Sequence, residues 1–266
     1  MAERRWRLKK AWKNKRQGQV WVVDEPNGRR GYFKFATKEQ WFFSGPMIAN
    51  EWIAAELAKR LGFPVAELDL TAVTGPDESR QRGLVSIEYP AKEILTWNEA
   101  GEEVWRHPEQ HVHDIDLLAS TVVFDAWIAN IDRASGKNLV LYRHHPSEKY
   151  SWYLIDHGHA LYGSPRKWKR GAWNAQIWQQ LWRFYNVPKG LLRLQSSMTT
   201  LEPMIRRIEE LREHDIDAAI RSVPAGHLGN KERVFIKRLL MNRQKQLRSI
   251  IERWLVYKGL KEYASE

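Results

Sequence analysis

Asp132 and Asn138 stand six residues apart in Ile131-Asp-Arg-Ala-Ser-Gly-Lys-Asn-Leu139, and Asp156 follows in Tyr153-Leu-Ile-Asp-His-Gly-His159. A carboxylate beside a hydroxyl can take its proton. An amide oxygen and a second carboxylate offer the hard ligands that magnesium prefers. A base, then a metal-binding amide, then a metal-binding carboxylate is the order of parts in a phosphoryl-transfer site. The implied chemistry is ATP- and magnesium-dependent transfer of the γ-phosphate to a hydroxyl.

Lys34 adds a cation in an awkward place, inside the aromatic strand pattern Gly31-Tyr-Phe-Lys-Phe-Ala36. Such a charge needs a partner. Glu51, in the first or second turn of a helix expected over 46–62, can supply one, and Glu56 is the alternative. The two point in different directions, so only one can face the strand. Singly, each residue type has an ordinary use as a cap or turn former. Their occurrence together, in the right order on strand, helix, loop and hairpin, carries the reading.

The surrounding elements follow from pattern. Val20–Val23 and 31–36 flank Asp24-Glu-Pro-Asn-Gly28, where Asn-Gly marks a hairpin turn. The expected helix over 46–62 has Pro46 in its first turn, leucine and isoleucine every four residues, and a stop at Gly62 and Pro64. Strands are expected at 65–73 and 83–89, with a hinge opening at Pro90. Residues 115–129 are apolar nearly all round and read as one buried helix. A second hairpin pairs 139–142 with 152–155. Helices follow at 201–211, 216–220 and 231–255, with breaks at Pro203 and Pro224. The fold expectation is α+β and two-lobed, of protein-kinase-like type: a basic arm at 1–16, flexible or weakly helical, a strand-rich N-lobe at 17–90 that binds nucleotide, and a helical C-lobe at 91–266.

The chain's 266 residues allow two packed lobes, and a hydrophobic fraction of 43% is that of a globular protein. No stretch is long and apolar enough for a membrane span, and no secretory signal is recognisable. Zero cysteines exclude disulfides and thiolate metal sites and fit a cytoplasmic setting. The net charge of +11 is concentrated at the N-terminus and at Arg166, Lys167, Lys169 and Arg170. It suits nucleic acid, acidic proteins or phosphorylated ligands, or simply a solvated face. The 14 tryptophans, spread from Trp6 to Trp254, read as packing residues rather than base-stacking platforms. His157 and His159 lack a third ligand and read as supporting residues rather than a metal site.

Gly-Tyr-Phe-Lys-Phe at 31–35, the segment 49–65, Ile-Asp-Arg…Lys-Asn-Leu at 131–139 and Leu-Ile-Asp-His-Gly-His-Ala-Leu at 154–161 resemble the HipA-like kinases, in their short stand-alone branch. Ile-Arg-Ser-Val-Pro at 220–224 and the closing helix extend the likeness over roughly 16–258. Phosphatidylinositol kinases and protein kinases are more distantly similar. The resemblance implies that Lys34 holds the ATP phosphates, Asp132 is the catalytic base, and Asn138 and Asp156 bind magnesium. It implies the adenine-binding hinge at Glu88 and Tyr89, and a place for Gly18 in the loop over the phosphates. Ala134 departs from the histidine that often follows Asp-Arg in the family. The interval from Asp132 to Asn138 is one residue longer than in protein kinases. The implied acceptor is Ser or Thr of a protein, though a lipid or other small molecule remains open, as does an antitoxin-type partner. The rival readings are an inactive nucleotide-binding scaffold and a basic nucleic-acid-binding module.

Overall fold

The computed structural model describes residues 6–14, 18–163 and 180–260. Two antiparallel sheets and nine α-helices are described. The first sheet contains β1 (Arg7–Asn14), β2 (Gly18–Asp24), β3 (Arg30–Phe35), β4 (Glu67–Thr74) and β5 (Arg80–Ile87), in the spatial order β1-β2-β3-β5-β4. The Asn27-Gly28 turn forms as expected: Gly28 has φ of 85°, and the Arg29 amide donates to the Asn27 side chain. Side chains alternate across a strand. Gly31, Phe33 and Phe35 therefore bury one face of β3 against Trp6, Trp21 and Val85, while Tyr32 and Lys34 emerge on the other. At Gly83, opposite Phe35, an added Cβ would meet the Lys34 carbonyl oxygen at 2.2 Å, so β5 can approach β3 only with glycine there.

The expectation of a flexible or weakly helical arm at the N-terminus is corrected over 7–14. This segment is β1, paired with β2, and buried Trp6 donates from Nε1 to Asp69 Oδ2 at 2.7 Å. Strand pairing satisfies the backbone groups of β2's open edge, and Leu8 and Ala11 turn toward the aromatic core while Lys9 pairs with Asp24 outside.

Helix α1 (Lys38–Ser44), absent from the sequence expectations, leads into α2 (Met47–Arg60), with Pro46 as its cap residue rather than in its first turn. α2 is buried on most sides because it lies between two bodies. Met47 and Ile48 pack on Leu84, while Ile53, Leu57 and Leu61 join the main core with Phe63 and Phe124. Ending it, Gly62 takes φ of 79°.

After Pro90 comes β6 (Glu93–Thr96), a strand the sequence pattern did not disclose. It pairs with β7 (Leu139–Arg143), which pairs with β8 (Ser151–Leu154). Short helices α3 (Glu102–Arg106) and α4 (Pro108–His111) precede α5 (Ile115–Ala119) and α6 (Thr121–Trp127). The single helix expected over 115–129 is thus divided at Ser120, whose hydroxyl bonds back to the Leu117 carbonyl. The remaining helices are α7 (Met198–Glu209), α8 (Glu213–Arg221) and α9 (Asn230–Tyr257). Pro203 does not break α7. It sits in the second turn, where the ring removes one backbone hydrogen bond and leaves the buried face of Leu201, Ile205 and Ile208 intact. Trp97, Trp127 and Trp254 are fully buried, each donating its indole N–H to a main-chain carbonyl, as packing residues do. No helix among the described residues is long and apolar enough to cross a membrane.

Candidate active site

Strand alternation delivers Lys34 toward α2 and the segment after β8. Its Nζ lies 2.7 Å from Asp156 Oδ1 and 4.0 Å from Glu51 Oε2. Glu51 is 4% exposed, whereas Glu56 pairs with Lys59 on the outer face, so the geometry selects Glu51 as the helix carboxylate facing the strand. Burial opposes the charge on Lys34. The Asp156 and Glu51 carboxylates outweigh it and hold the ammonium's pKa above the ordinary lysine value. Burial likewise pushes the Asp156 carboxyl up, but Lys34 overcomes that and keeps it below the usual carboxylate range. Asp156 adopts the left-handed conformation with φ of 58°, a turn geometry that aspartate tolerates better than most side chains. The buried Asn50 side chain fastens the next turn by donating to Gly158 O at 2.9 Å.

The loop between α6 and β7 carries the other two candidates. Asp132 is exposed. Asn138 is nearly buried and donates from Nδ2 to Asp132 O at 2.9 Å and to Asp132 Oδ2 at 3.3 Å, which turns its amide oxygen the other way. The β7–β8 register sets Leu139 against Leu154. One step further along the hairpin, the Ile155 amide donates to Asn138 O at 3.3 Å. Hairpin pairing therefore places Asn138 beside the residue that precedes Asp156. Between Asp132 and Asn138 the loop turns at Gly136, with φ of 72° and its amide donating to the Arg133 carbonyl at 3.0 Å.

Beneath this loop is a polar network that motif reading missed. Arg133 is 3% exposed and donates twice to Asp125 at 3.0 Å, to the Asn138 carbonyl, and to His157 Nε2 at 3.1 Å. Asn130 joins Asp125 at 2.7 Å and receives the Asp132 amide at 3.2 Å. Asp125 in an otherwise apolar helix was the available signal, since a buried carboxylate demands partners.

A cleft of about 720 Å³ opens between the two sheets. Val20 and Ile87 contribute apolar surface from one side, Ile94, Val140 and Ile155 from the other, and Lys34, Lys137 and Asp156 line it as well. Glu88 also lines the cleft and receives a hydrogen bond from Tyr32 at 2.9 Å. The phenols of Tyr32 and Tyr153 are pushed up to about 12, by burial first and then by Glu88. The Tyr89 ring is exposed, lies 4.3 Å from that of Tyr142, and lines a separate hollow of about 230 Å³. Gly18 is the first residue of β2, opposite Asn14, and residues 15–17 lie outside those described. The basic cluster Arg166, Lys167, Lys169 and Arg170 also lies outside the described residues.

Among the described residues no group of three or more His, Asp or Glu side chains could hold a metal ion. Magnesium does not require one, because it commonly takes one or two protein oxygens and draws its other ligands from phosphates and water. The Asp156 carboxylate, which lines the cleft, and the amide oxygen of Asn138 are oxygens of that kind.

The HipA-like kinase family model matches residues 42–225, more than half of the chain. The chain belongs to the HipA-like kinase family. Lys34 precedes the matched residues, so its place beside Glu51 and Asp156 rests on the geometry. Among solved structures, the Helicobacter pylori proinflammatory kinase CtkA superposes with a TM-score of 0.61 at 14% identity, covering 95% of this chain and 96% of that one. A golgi casein kinase gives 0.41 at 12% identity over 96% and 74%. The Rio2 kinase from Chaetomium thermophilum, solved with ADP/Mg2+ and phosphoaspartate, gives 0.39 at 11% over 95% and 71%. No curated protein matches. The fold of this HipA-like chain is mixed α+β and kinase-like, with a strand-rich N-terminal region and a helix-rich C-terminal region.

Proposed function

We propose that the protein is an ATP- and magnesium-dependent kinase that phosphorylates a hydroxyl, that of Ser or Thr in another protein. The observation that carries this reading is the convergence of Lys34, Glu51 and Asp156, from a strand, a helix and a post-hairpin turn: Lys34 and Asp156 line the cleft 2.7 Å apart, and Glu51 stands buried behind Lys34 at 4.0 Å. In this reading Lys34 grips phosphate oxygens and Glu51 limits its swing. Asp132 accepts the proton of the attacking hydroxyl. Asn138 and Asp156 are the protein's ligands for magnesium, which when bound neutralises phosphate charge. Adenine would lie between Val20 and Ile87 on one side and Val140 and Ile155 on the other, near the backbone at Glu88. Lys34 and Asp156 stand 2.7 Å apart, so the cation that would meet phosphate and the carboxylate that would meet magnesium are side by side.

The membership in a HipA-like family supports a protein acceptor. The four basic residues after Asp156 favour an acidic or already phosphorylated one. Dependence on ATP suits a cytoplasmic setting. Incubation with γ-labelled ATP and magnesium tests the reading, followed by separation of protein, lipid and free phosphate. Label on protein at serine or threonine is the expected result. Absence of label from every fraction, with nucleotide bound, would identify an inactive scaffold instead.

A further inference from the structure

One buried group in the centre of the molecule has no part in the chemistry just described. His157 is 1% exposed, and its two ring nitrogens face different halves of the fold. Nε2 lies 3.1 Å from Nη2 of Arg133, on the loop that carries Asp132 and Asn138. Nδ1 lies 3.7 Å from Oε1 of Glu51, on α2. A guanidinium can only donate, so Nε2 must accept, and the ring proton then belongs to Nδ1, turned toward the carboxylate. Arg133 is held by Asp125 and reaches the Asn138 carbonyl. Oε2 of Glu51 has no hydrogen-bond partner and stands 4.0 Å from Lys34. Phe124 packs against the imidazole at near-perpendicular incidence, 6.0 Å between centroids, and fixes its plane.

We propose that His157 is a positioning residue that couples the loop of Asp132 and Asn138 to the helix of Glu51, and through Glu51 sets the reach of Lys34. The consequence for turnover rests on the kinase reading. The chemistry of the position explains the residue type. One end of the ring meets a guanidinium that can only donate, and the other turns its N–H dipole toward a carboxylate at 3.7 Å, a longer, electrostatic contact. Phenylalanine would fill the space but leave a buried guanidinium N–H and a buried carboxylate with less than they have now.

Partial replacements separate the two ends. His157→Gln places an acceptor near the Nε2 position and gives up the donor toward Glu51. It should raise KM for ATP by about 10-fold while kcat changes little, because Lys34 loses its alignment. His157→Asn keeps a donor near Nδ1 and gives up the acceptor for Arg133. It should lower kcat by about 10-fold with KM nearly retained. His157→Phe should show both losses. Equal effects of all three on kcat and KM, or no effect of any, would overturn the proposal and leave His157 as core filling.

A second measurement does not depend on turnover or on the variants folding. The ¹⁵N spectrum of the wild-type imidazole should show Nδ1 protonated and Nε2 bare. A proton on Nε2 overturns the coupling whatever the kinetics. If the wild-type chain neither binds nor turns over nucleotide, the kinase reading fails, and the spectrum still decides the proposal about His157.

Discussion

Two buried charge clusters lie close together in this protein, and they are built differently. Around Arg133 the pairing is saturated: arginine and Asp125 are 3% and 5% exposed, and the guanidinium meets Asp125, His157 and a carbonyl. Around Lys34 it is loose. One ammonium, 14% exposed, faces Asp156 closely and Glu51 at 4.0 Å, with a cleft alongside. A saturated network holds a loop in one shape. An under-paired cluster facing a cleft has electrostatic capacity left for a ligand.

The largest effect should therefore come from the saturated cluster. Arg133→Met leaves Asp125 buried without its counter-charge and should cost about 3–5 kcal/mol of stability, read as a fall in the urea midpoint. A loss below about 1 kcal/mol would mean that the pair is not the anchor described here.

The loose cluster and its loop should respond in activity before stability. Asp132→Asn is nearly isosteric and removes only the proton acceptor, so phosphotransfer should fall by roughly 100-fold or more while nucleotide still binds. Asp156→Asn should weaken magnesium-dependent nucleotide binding itself. Matching phenotypes for the two substitutions would show that the two carboxylates have been misassigned.

Ligand should act on the loose cluster alone. At about 100 times its Kd, ATP with magnesium should add about 2.7 kcal/mol of stability, visible as a higher melting temperature, and ATP with a chelator should add less. Equal gains with and without metal would remove Asn138 and Asp156 from the metal's coordination.

The smallest effect is in the pH dependence. Asp156 is held below the usual carboxylate range, so its contribution is present above the unfolded value near 3.8 and is lost as pH falls through the lower folded value. Lys34 is held above 10.5, so its contribution is present below that and is lost as pH rises through the higher folded value. Melting temperatures across the acid range should lose part of their slope in Asp156→Asn. An unchanged acid limb would place the linkage on other carboxylates.

Much of the site could be read from local pattern. Alternation in Gly31-Tyr-Phe-Lys-Phe35 is enough to put Lys34 on the face opposite Phe33 and Phe35, and Asn27-Gly28 is enough to place the turn before it. The order Asp132, Asn138, Asp156 and the hairpin between the last two are linear facts about the chain, whereas the register that sets Leu139 against Leu154, one residue from the expected 139–142 with 152–155 pairing, is settled only in the sheet. Composition could not reveal β1 or β6, because a charged or short segment becomes a strand only when a neighbouring edge needs its backbone groups.

What the tertiary structure decided is which of several locally equivalent groups meets which. Glu51 and Glu56 lie on one helix on different faces, and only the burial of α2 between the sheet and Phe124 turns Glu51 inward. Tyr89 follows Glu88 in sequence, yet Tyr142 draws its ring out of the cleft that Glu88 lines. Asp125, Arg133 and His157 come from a helix, a loop and a turn and share no motif. Their pairing arises because charges carried into one small volume must satisfy one another there, and sequence distance does not enter that requirement.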